Sequence, residues 1–453
     1  MPTIYQPGRD KLAYIRYNSA MPATYQNPGP VTRRERFAWC MYDFANSGYT
    51  TVILTAVFNA YFVGVVAAEN GNGHATLLWT IAIAIANGLV LLSAPLLGAI
   101  ADYSGTKKRL LIITTLGCVL FTALLSLVGP GDIVLAITLV VLATFMFASG
   151  ENLIAAFLPE ISPPETMGRL SGYGWALGYI GGLLSLILCL AYVTYAEQQG
   201  LDATHYVPVS MLIVAALFGL AALPTLLWLH ERAMPTTTTR YPHLLHAGFT
   251  RLRTTLHHAR LHTDLFRFLT SLVFYYSGIH IVIVLAAVYA QEVMGFKTQD
   301  TLILIMVVNI TAAIGAFLFG HLQDKIGSKR CIALTLLIWS AAIICAYMAD
   351  SEPLFWLAAN LIGIALGGAQ SAGRAMVGQF TPSGRQGEFF GLWGFATKLA
   401  AIIGPLTYGG MIYVFEGDHR IAILSTLVFF VVGLLLLATV NEARGQNMAK
   451  ATG

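Results

Sequence analysis

The sequence predicts an all-α membrane protein of twelve transmembrane helices, arranged as two pseudo-symmetric six-helix bundles with both termini in the cytoplasm. Its 453 residues are 57% hydrophobic and only 11% charged, and the mean hydropathy is +0.69. That composition is too apolar for a soluble chain of this length, so lipid must be its solvent. The segment Gly98-Ala-Ile-Ala-Asp102-Tyr-Ser-Gly105-Thr-Lys107-Lys108 returns as Gly320-His-Leu-Gln-Asp324-Lys-Ile-Gly327-Ser-Lys329-Arg330, with a constant offset of 222. A membrane chain that repeats a loop half-way along is built from two similar halves, an arrangement that places a solute site between them.

The elements follow in order. Residues 1–36 form a cytoplasmic tail; residues 1–30 are rich in Tyr, Pro, Asn and Gly and have no apolar core segment, so no cleaved signal peptide is expected. Apolar runs at 37–67, 75–101, 108–129, 131–158, 170–195 and 208–229 make an N-terminal bundle over 37–229. Runs at 265–291, 300–322, 331–349, 353–379, 387–413 and 420–440 make a C-terminal bundle over 265–440. Each run is near or above the roughly 20 residues that cross the hydrocarbon as a helix. Between the bundles, 230–264 is a cytoplasmic linker in which Leu245, Phe249, Leu252 and Leu256 fall at helical spacing beside Arg251, Arg253 and Arg260, the pattern of a basic amphipathic helix on the membrane surface. Its histidines, His243, His246, His257, His258 and His262, read as a solvated polar face. Residues 441–453 are a second cytoplasmic tail.

Positive charge sets the orientation. Arg33, Arg34 and Arg36 precede the first span, and Lys107, Lys108, Arg109, Arg169, Arg232, Lys329, Arg330 and Arg385 lie in loops on the same side, whereas the other side holds only Lys297 and Arg420. Basic loops stay in the cytoplasm. Cys40, Cys118, Cys189, Cys331 and Cys345 sit in or at the ends of spans as small apolar residues, so neither a disulfide nor a metal site is expected.

Asp102 and Asp324 each follow the second span of a half. A carboxylate there is expected to cap a neighbouring helix start and pair with a buried arginine, latching the cytoplasmic side. A weaker repeat links Gly168-Arg169-Leu-Ser-Gly172-Tyr-Gly174-Trp175 with Gly387-Glu388-Phe-Phe-Gly391-Leu-Trp393-Gly394, where each fifth span of a half begins. Glycines on such helices permit close backbone approach.

With these residues in view, the chain resembles the major facilitator superfamily, whose loop signature is matched at Gly98, Asp102, Gly105, Lys107 and Lys108. Within it, Trp39-Cys-Met-Tyr42-Asp43-Phe44-Ala45-Asn46-Ser47-Gly48-Tyr49, Phe157-Leu-Pro-Glu160, Gly174-Trp175 through Gly182, Gly367-Gly-Ala-Gln370 and Phe389-Phe-Gly391-Leu392 are similar to the autophagy-related vacuolar amino-acid effluxer branch. The resemblance implies the twelve-helix fold and secondary transport. The seventh span departs from the branch pattern, reading Tyr275-Tyr276-Ser277-Gly278.

Charges inside spans are expensive and therefore functional candidates. Four stand out: Asp43, Glu151, Arg374 and Lys398. Adding 222 to Glu151 gives the neighbour of Arg374, so Glu151 and Arg374 are expected to form a gate pair, with Lys398 opposite Asp43. Asp43 is the candidate proton carrier. Around them, Asn46, Trp175, Tyr179, Tyr275, Tyr276, His280, Gln370, Trp393 and Lys398 are the candidate substrate-binding residues, a mixture of charge, amide and aromatic surface suited to a small zwitterion.

The sequence-level expectation is a proton-coupled secondary transporter of small polar solutes, neutral amino acids foremost, working by alternating access. A drug or metabolite exporter of the same fold and a non-transporting receptor are the alternatives. The chain has no nucleophile elbow, P-loop or metal motif, so no enzyme activity and no cofactor are expected. The expected partners are a small-molecule substrate, protons and the bilayer, with no nucleic acid; the expected state is a monomer, multi-pass in the inner (plasma) membrane rather than a vacuole-type membrane.

Overall fold

The computed structural model describes residues 29–68, 72–232, 248–250, 253–254, 262–415 and 418–452. Among them are twelve helices long and apolar enough to cross a membrane. In the first half these are α1 (Arg33–Val66), α2 (Asn72–Ser104), α3 (Lys107–Leu124), α4 (Ile133–Ala155), α5 (Met167–Gln198) and α6 (Ala203–Trp228). In the second they are α7 (Thr263–Met294), α8 (Thr298–Ile326), α9 (Ser328–Tyr347), α10 (Glu352–Gln379), α11 (Gln386–Val414) and α12 (His419–Ala438). A shorter helix, α13, covers Glu442–Thr452. Several helices run past the apolar stretches that predict them: α2 by three residues at each end, α5 by three. Hydropathy detects only the part in hydrocarbon, whereas polar caps carry the backbone ladder further. Of the surface helix expected in 230–264, only Phe249 is described among its apolar residues, and it is exposed; Leu245, Leu252 and Leu256, with His243, His246, His257 and His258, lie outside the described residues, and His262, read as part of a solvated face, is instead buried beside Phe389 of α11.

Each half has its own apolar core. Trp39, Tyr42, Tyr49, Phe58 and Phe218 are fully enclosed in the first, and in the second Trp339 stacks on Phe430 with centroids 5.1 Å apart. Leu92, Leu127, Leu220 and Leu406 are more than half exposed, as befits helices solvated by lipid. The winding of α1 is unusual: it is α-helical over Arg33–Gly48 and then π-helical over Tyr49–Ala56 and Phe62–Val66. Hydroxyls supplement the loosened ladder, Thr50 and Thr51 donating to the Ser47 carbonyl at 3.0 Å and Thr55 to that of Thr50 at 2.9 Å.

The repeated loops lie at one end of the bundle, here called the motif end. Their second glycines, Gly105 and Gly327, have φ of 60° and 89°, values a side chain adopts only with strain, which is why glycine recurs there. The short turn each makes lets an acid beyond the last helix of the same half cap the next helix start. Glu231 accepts from the backbone N–H groups of Lys107 and Lys108 at 2.9 and 3.0 Å, and Glu442 does the same for Ser328 and Lys329 at 2.8 and 3.0 Å. One or two residues on, Arg232 grips Glu35 at 2.6 and 2.8 Å and Arg444 grips Asp264 at the same distances. In both halves this ties the end of the sixth helix to the starts of the first and third.

Candidate functional site

At the motif end the two halves meet through small residues. A Cβ on Gly98 would run into the Gly387 carbonyl, and one on Gly172 would come 2.9 Å from the Cα of Gly320. These close approaches bring α2 onto α11 and α5 onto α8. Asp102, buried at the end of α2, crosses to accept from the N–H groups of Gly387 and Glu388 at 2.8 Å each. Asp324 makes the mirror contact, accepting from Arg169 N–H at 3.3 Å. Both acids thus cap a helix start of the opposite half, as expected, but the ion pairs they make among the described residues are not with a buried arginine. The basic neighbour of Asp102 is the enclosed ammonium of Lys107 at 3.7 Å, itself held by Glu160, and that of Asp324 is the solvent-facing Arg169 at 3.8 Å. In each case the cation comes from the loop or helix start beside the acid.

Deeper in, the four membrane charges form two cross-bundle pairs, and the partners are exchanged relative to expectation. Arg374 pairs with Asp43 at 2.8 Å, and Lys398 with Glu151 at 3.9 Å. Glu151 lies within electrostatic reach of Arg374, but pairing follows the rotational phase of the helices. Arg374 reaches between α1 and α5, where its Nε–H and Nη2–H donate to the hydroxyl and carbonyl of Ser171 at 3.1 and 3.0 Å. Its guanidinium also lies over the rings of Trp39 and Trp175, 4.6 and 5.2 Å from their centroids. The Asp43 contact is an ion pair outside hydrogen-bond alignment. Its side chains are 2% and 10% exposed, whereas those of Lys398 and Glu151 are 15% and 27% exposed. One pair is sealed and the other is wetter and looser.

Several predicted binding residues gather round these charges. The Tyr179 hydroxyl donates to the side-chain carbonyl of Gln370 across the halves, and Tyr179 lies beside Trp175 with centroids 6.0 Å apart. Tyr275 and Tyr276 place their hydroxyls beside Gly373, and His280 is next to Tyr276 at 6.1 Å and within electrostatic reach of Lys398. Trp393 is buried one residue from Gly394, which faces the Asn152 amide. Asn46 is buried on α1 one turn from Asp43. The N–H groups of Trp175 and Trp393, the amide nitrogen of Asn152 and the hydroxyls of Tyr275 and Tyr276 have no partner among the described residues. Buried donors left unpaired are uncommon, and they cost about 1–3 kcal/mol each without a ligand or water.

The sequence reading missed Ser171, which joins Arg374 and the Ser371 carbonyl at 2.9 Å, and the strap residues Glu231, Glu442, Glu35 and Asp264. A signal for the straps existed: Glu231-Arg232 and Glu442-Ala-Arg444 stand directly after the sixth helix of each half.

A family model described as "Vacuole effluxer Atg22 like" matches residues 162–450. The chain belongs to that family. The general major facilitator superfamily model matches residues 18–186, so the Atg22-like chain is a transporter of the major facilitator fold. Among its relatives is the uncharacterized MFS-type transporter YxiO of Bacillus subtilis, 28% identical over 92% of this chain and 97% of that protein. Autophagy-related protein 22-1 of Neosartorya fischeri is 23% identical over 62% of this chain, which spans 50% of the fungal protein's length. The crystal structure of the human organic anion transporter MFSD10 superposes with a TM-score of 0.72 at 13% identity, covering 89% of this chain and 99% of that one. That likeness speaks for the fold.

Proposed function

We propose that this Atg22-like chain moves neutral amino acids by alternating access, coupled to protons. The observation that carries the reading is the pair of cross-bundle ion pairs, Asp43–Arg374 and Glu151–Lys398, set among unpaired donors and aromatic surface. A zwitterion presents both signs of charge and would exchange with the looser pair, its ammonium toward Glu151 and its carboxylate toward Lys398 and the indole N–H groups. Arg374 is engaged by Asp43 and Ser171, so its role in this reading is to hold the halves together rather than to bind solute. Of the two acids, the partly exposed Glu151 is the better proton carrier, in place of the enclosed Asp43.

In this reading the motif end is cytoplasmic, supported by the gathering of Lys and Arg there, and the caps and pairs described above hold that side shut. The protein works as a monomer in a bacterial plasma membrane, with the bundles and linker divided as the sequence predicts. The test is uptake of radiolabelled leucine into proteoliposomes of the purified protein, with and without an imposed pH gradient. Accumulation driven by the gradient supports the proposal; absence of leucine transport under any gradient refutes it.

A further inference from the structure

From the repeated loop of the second half, a chain of uncharged side chains runs across to the first half, and its direction follows from its ends. The amide nitrogen of Gln323 donates to the Ala372 carbonyl at 3.2 Å and to the Ser328 hydroxyl at 2.8 Å. A carbonyl can only accept, so that end of Gln323 is its nitrogen. Ser328 must then spend its own proton on Gln379, whose side-chain oxygen is 2.7 Å away. The amide nitrogen of Gln379 faces the other way and donates to the Pro164 carbonyl at 3.1 Å, in the segment between α4 and α5 of the first half. Gln446 of α13 leads to the same assignment independently. Its amide nitrogen reaches the Glu442 carboxylate at 3.5 Å, which only accepts, and the Gln379 oxygen at 3.3 Å.

The end of α10 is clamped on both sides. A Cβ on Gly445 of α13 would meet the Phe380 ring, and one on Gly378 would meet Met167 and Pro159 of the first half. Glu442 and Arg444 fix α13 itself to the starts of α9 and α7. At the matching place 222 residues earlier, Gln379 is replaced by Phe157 and Ser328 by Thr106. There the enclosed Lys107 ammonium lies 5.3 Å from the Phe157 centroid, between Asp102 and Glu160. One half builds this node from charges and the other from amides. We propose that Gln379 is a further gating residue, an uncharged tie between the halves, and that α13 sets it. Gln446 and Ser328 hold the Gln379 oxygen, which leaves its amide nitrogen to point at Pro164. The part of this tie in transport rests on the alternating-access reading. Any displacement of α13 frees the Gln379 amide to turn, and so loosens the motif end from a distance.

The experiment measures how often the halves separate, with a reporter thiol on the other seam. Ala94→Cys is placed in the full-length chain, its five native cysteines replaced by alanine, in phosphatidylcholine nanodiscs. Ala94 is buried on α2, where a Cβ on Gly391 of α11 would meet its carbonyl. Slow maleimide labelling of an occluded thiol proceeds at a rate proportional to the fraction of separated molecules. Gln379→Met keeps the length of the side chain and removes the tie, so it should raise the rate about fivefold, the effect of one hydrogen bond. Gln446→Met should raise it about twofold, and the double variant should match Gln379→Met, because α13 acts through Gln379. An unchanged rate in Gln379→Met overturns the proposal. An unchanged rate in Gln446→Met, or a double variant in which the two effects multiply, overturns the part assigned to α13. If Gln379→Met does not fold, Gln379→Glu is judged by the same criterion; it still accepts from Ser328 and Gln446 but has no N–H for Pro164. No solute enters the measurement, so leucine transport can fail while the tie stands, and the tie can fail while leucine is carried.

Discussion

On the proposed alternating-access reading, Asp43→Asn isolates what the sealed ion pair contributes to holding the motif end shut. The substitution keeps the volume of the side chain but removes the ion-pair partner that Arg374 has at 2.8 Å among the described residues. Breaking a buried pair by neutralising one member typically costs about 3–5 kcal/mol. Arg374 keeps two hydrogen bonds to Ser171, and Glu151 lies within its electrostatic reach, so the low end, about 3 kcal/mol, applies. With tenfold per roughly 1.4 kcal/mol, the ratio of closed to open molecules should fall about a hundredfold. Spin labels at Arg109→Cys and Arg330→Cys, exposed positions near the two repeated loops, report the separation of the halves, with Cys345 replaced by Ser. Wild type should show mainly the short distance, Asp43→Asn mainly a longer one, and Asp43→Asn with Glu151→Gln a still greater shift. An unchanged distance distribution in a folded Asp43→Asn protein refutes the assignment of this pair to closure.

Glu151→Gln, which touches the looser pair at 3.9 Å, should shift the melting temperature by no more than about 2 °C while removing the response of transport to a pH gradient; a retained response excludes Glu151 as the proton carrier. Asp102→Ala deprives the start of α11 of two bonds from buried backbone N–H groups and should favour the open motif end by about 1–3 kcal/mol, read with the same spin labels. Gly172→Leu should abolish transport with binding retained, since its side chain cannot fit against Ala316 and Gly320; normal turnover would show that α5 and α8 need not meet. Burial, with Arg385 nearby, lowers the His262 pKa from its ordinary 6.5. Because the folded state disfavours the protonated form, stability should fall as pH drops below about 6.5, and His262→Asn should flatten that loss in a melting series from pH 7.5 to 5.

The spans, the duplication and the latch acids were legible because each depends on local composition or on spacing along the chain. A run of apolar residues must be a helix in lipid, and a repeated Gly-x-x-x-Asp-x-x-Gly must fold alike in both halves. The four membrane charges were legible for the same reason, since charge in an apolar run needs an explanation. Their pairing was not, because it depends on which faces of α1, α4, α10 and α11 turn toward one another. A helix rotates by about 100° per residue, so an offset that predicts level within one residue does not predict partner. The π-helical stretch of α1 was equally hidden, for no residue type in Tyr49–Ala56 demands it. His262 was misread because its burial depends on α11, more than 120 residues away.

The meeting of Gly98 with Gly387 and of Gly172 with Gly320 has a consequence for how such a machine is regulated. Backbone against backbone supplies fit but little apolar area, so docking shape is nearly indifferent to acidity and salt. On the proposed alternating-access reading, the dwell time of the docked state is set instead chiefly by a few carboxylates and cations beside those glycines. Geometry and timing thus reside in separate sets of atoms. Substitutions among the charged residues can retune how long the gate stays shut, faster or slower, without altering the surfaces that allow it to shut at all.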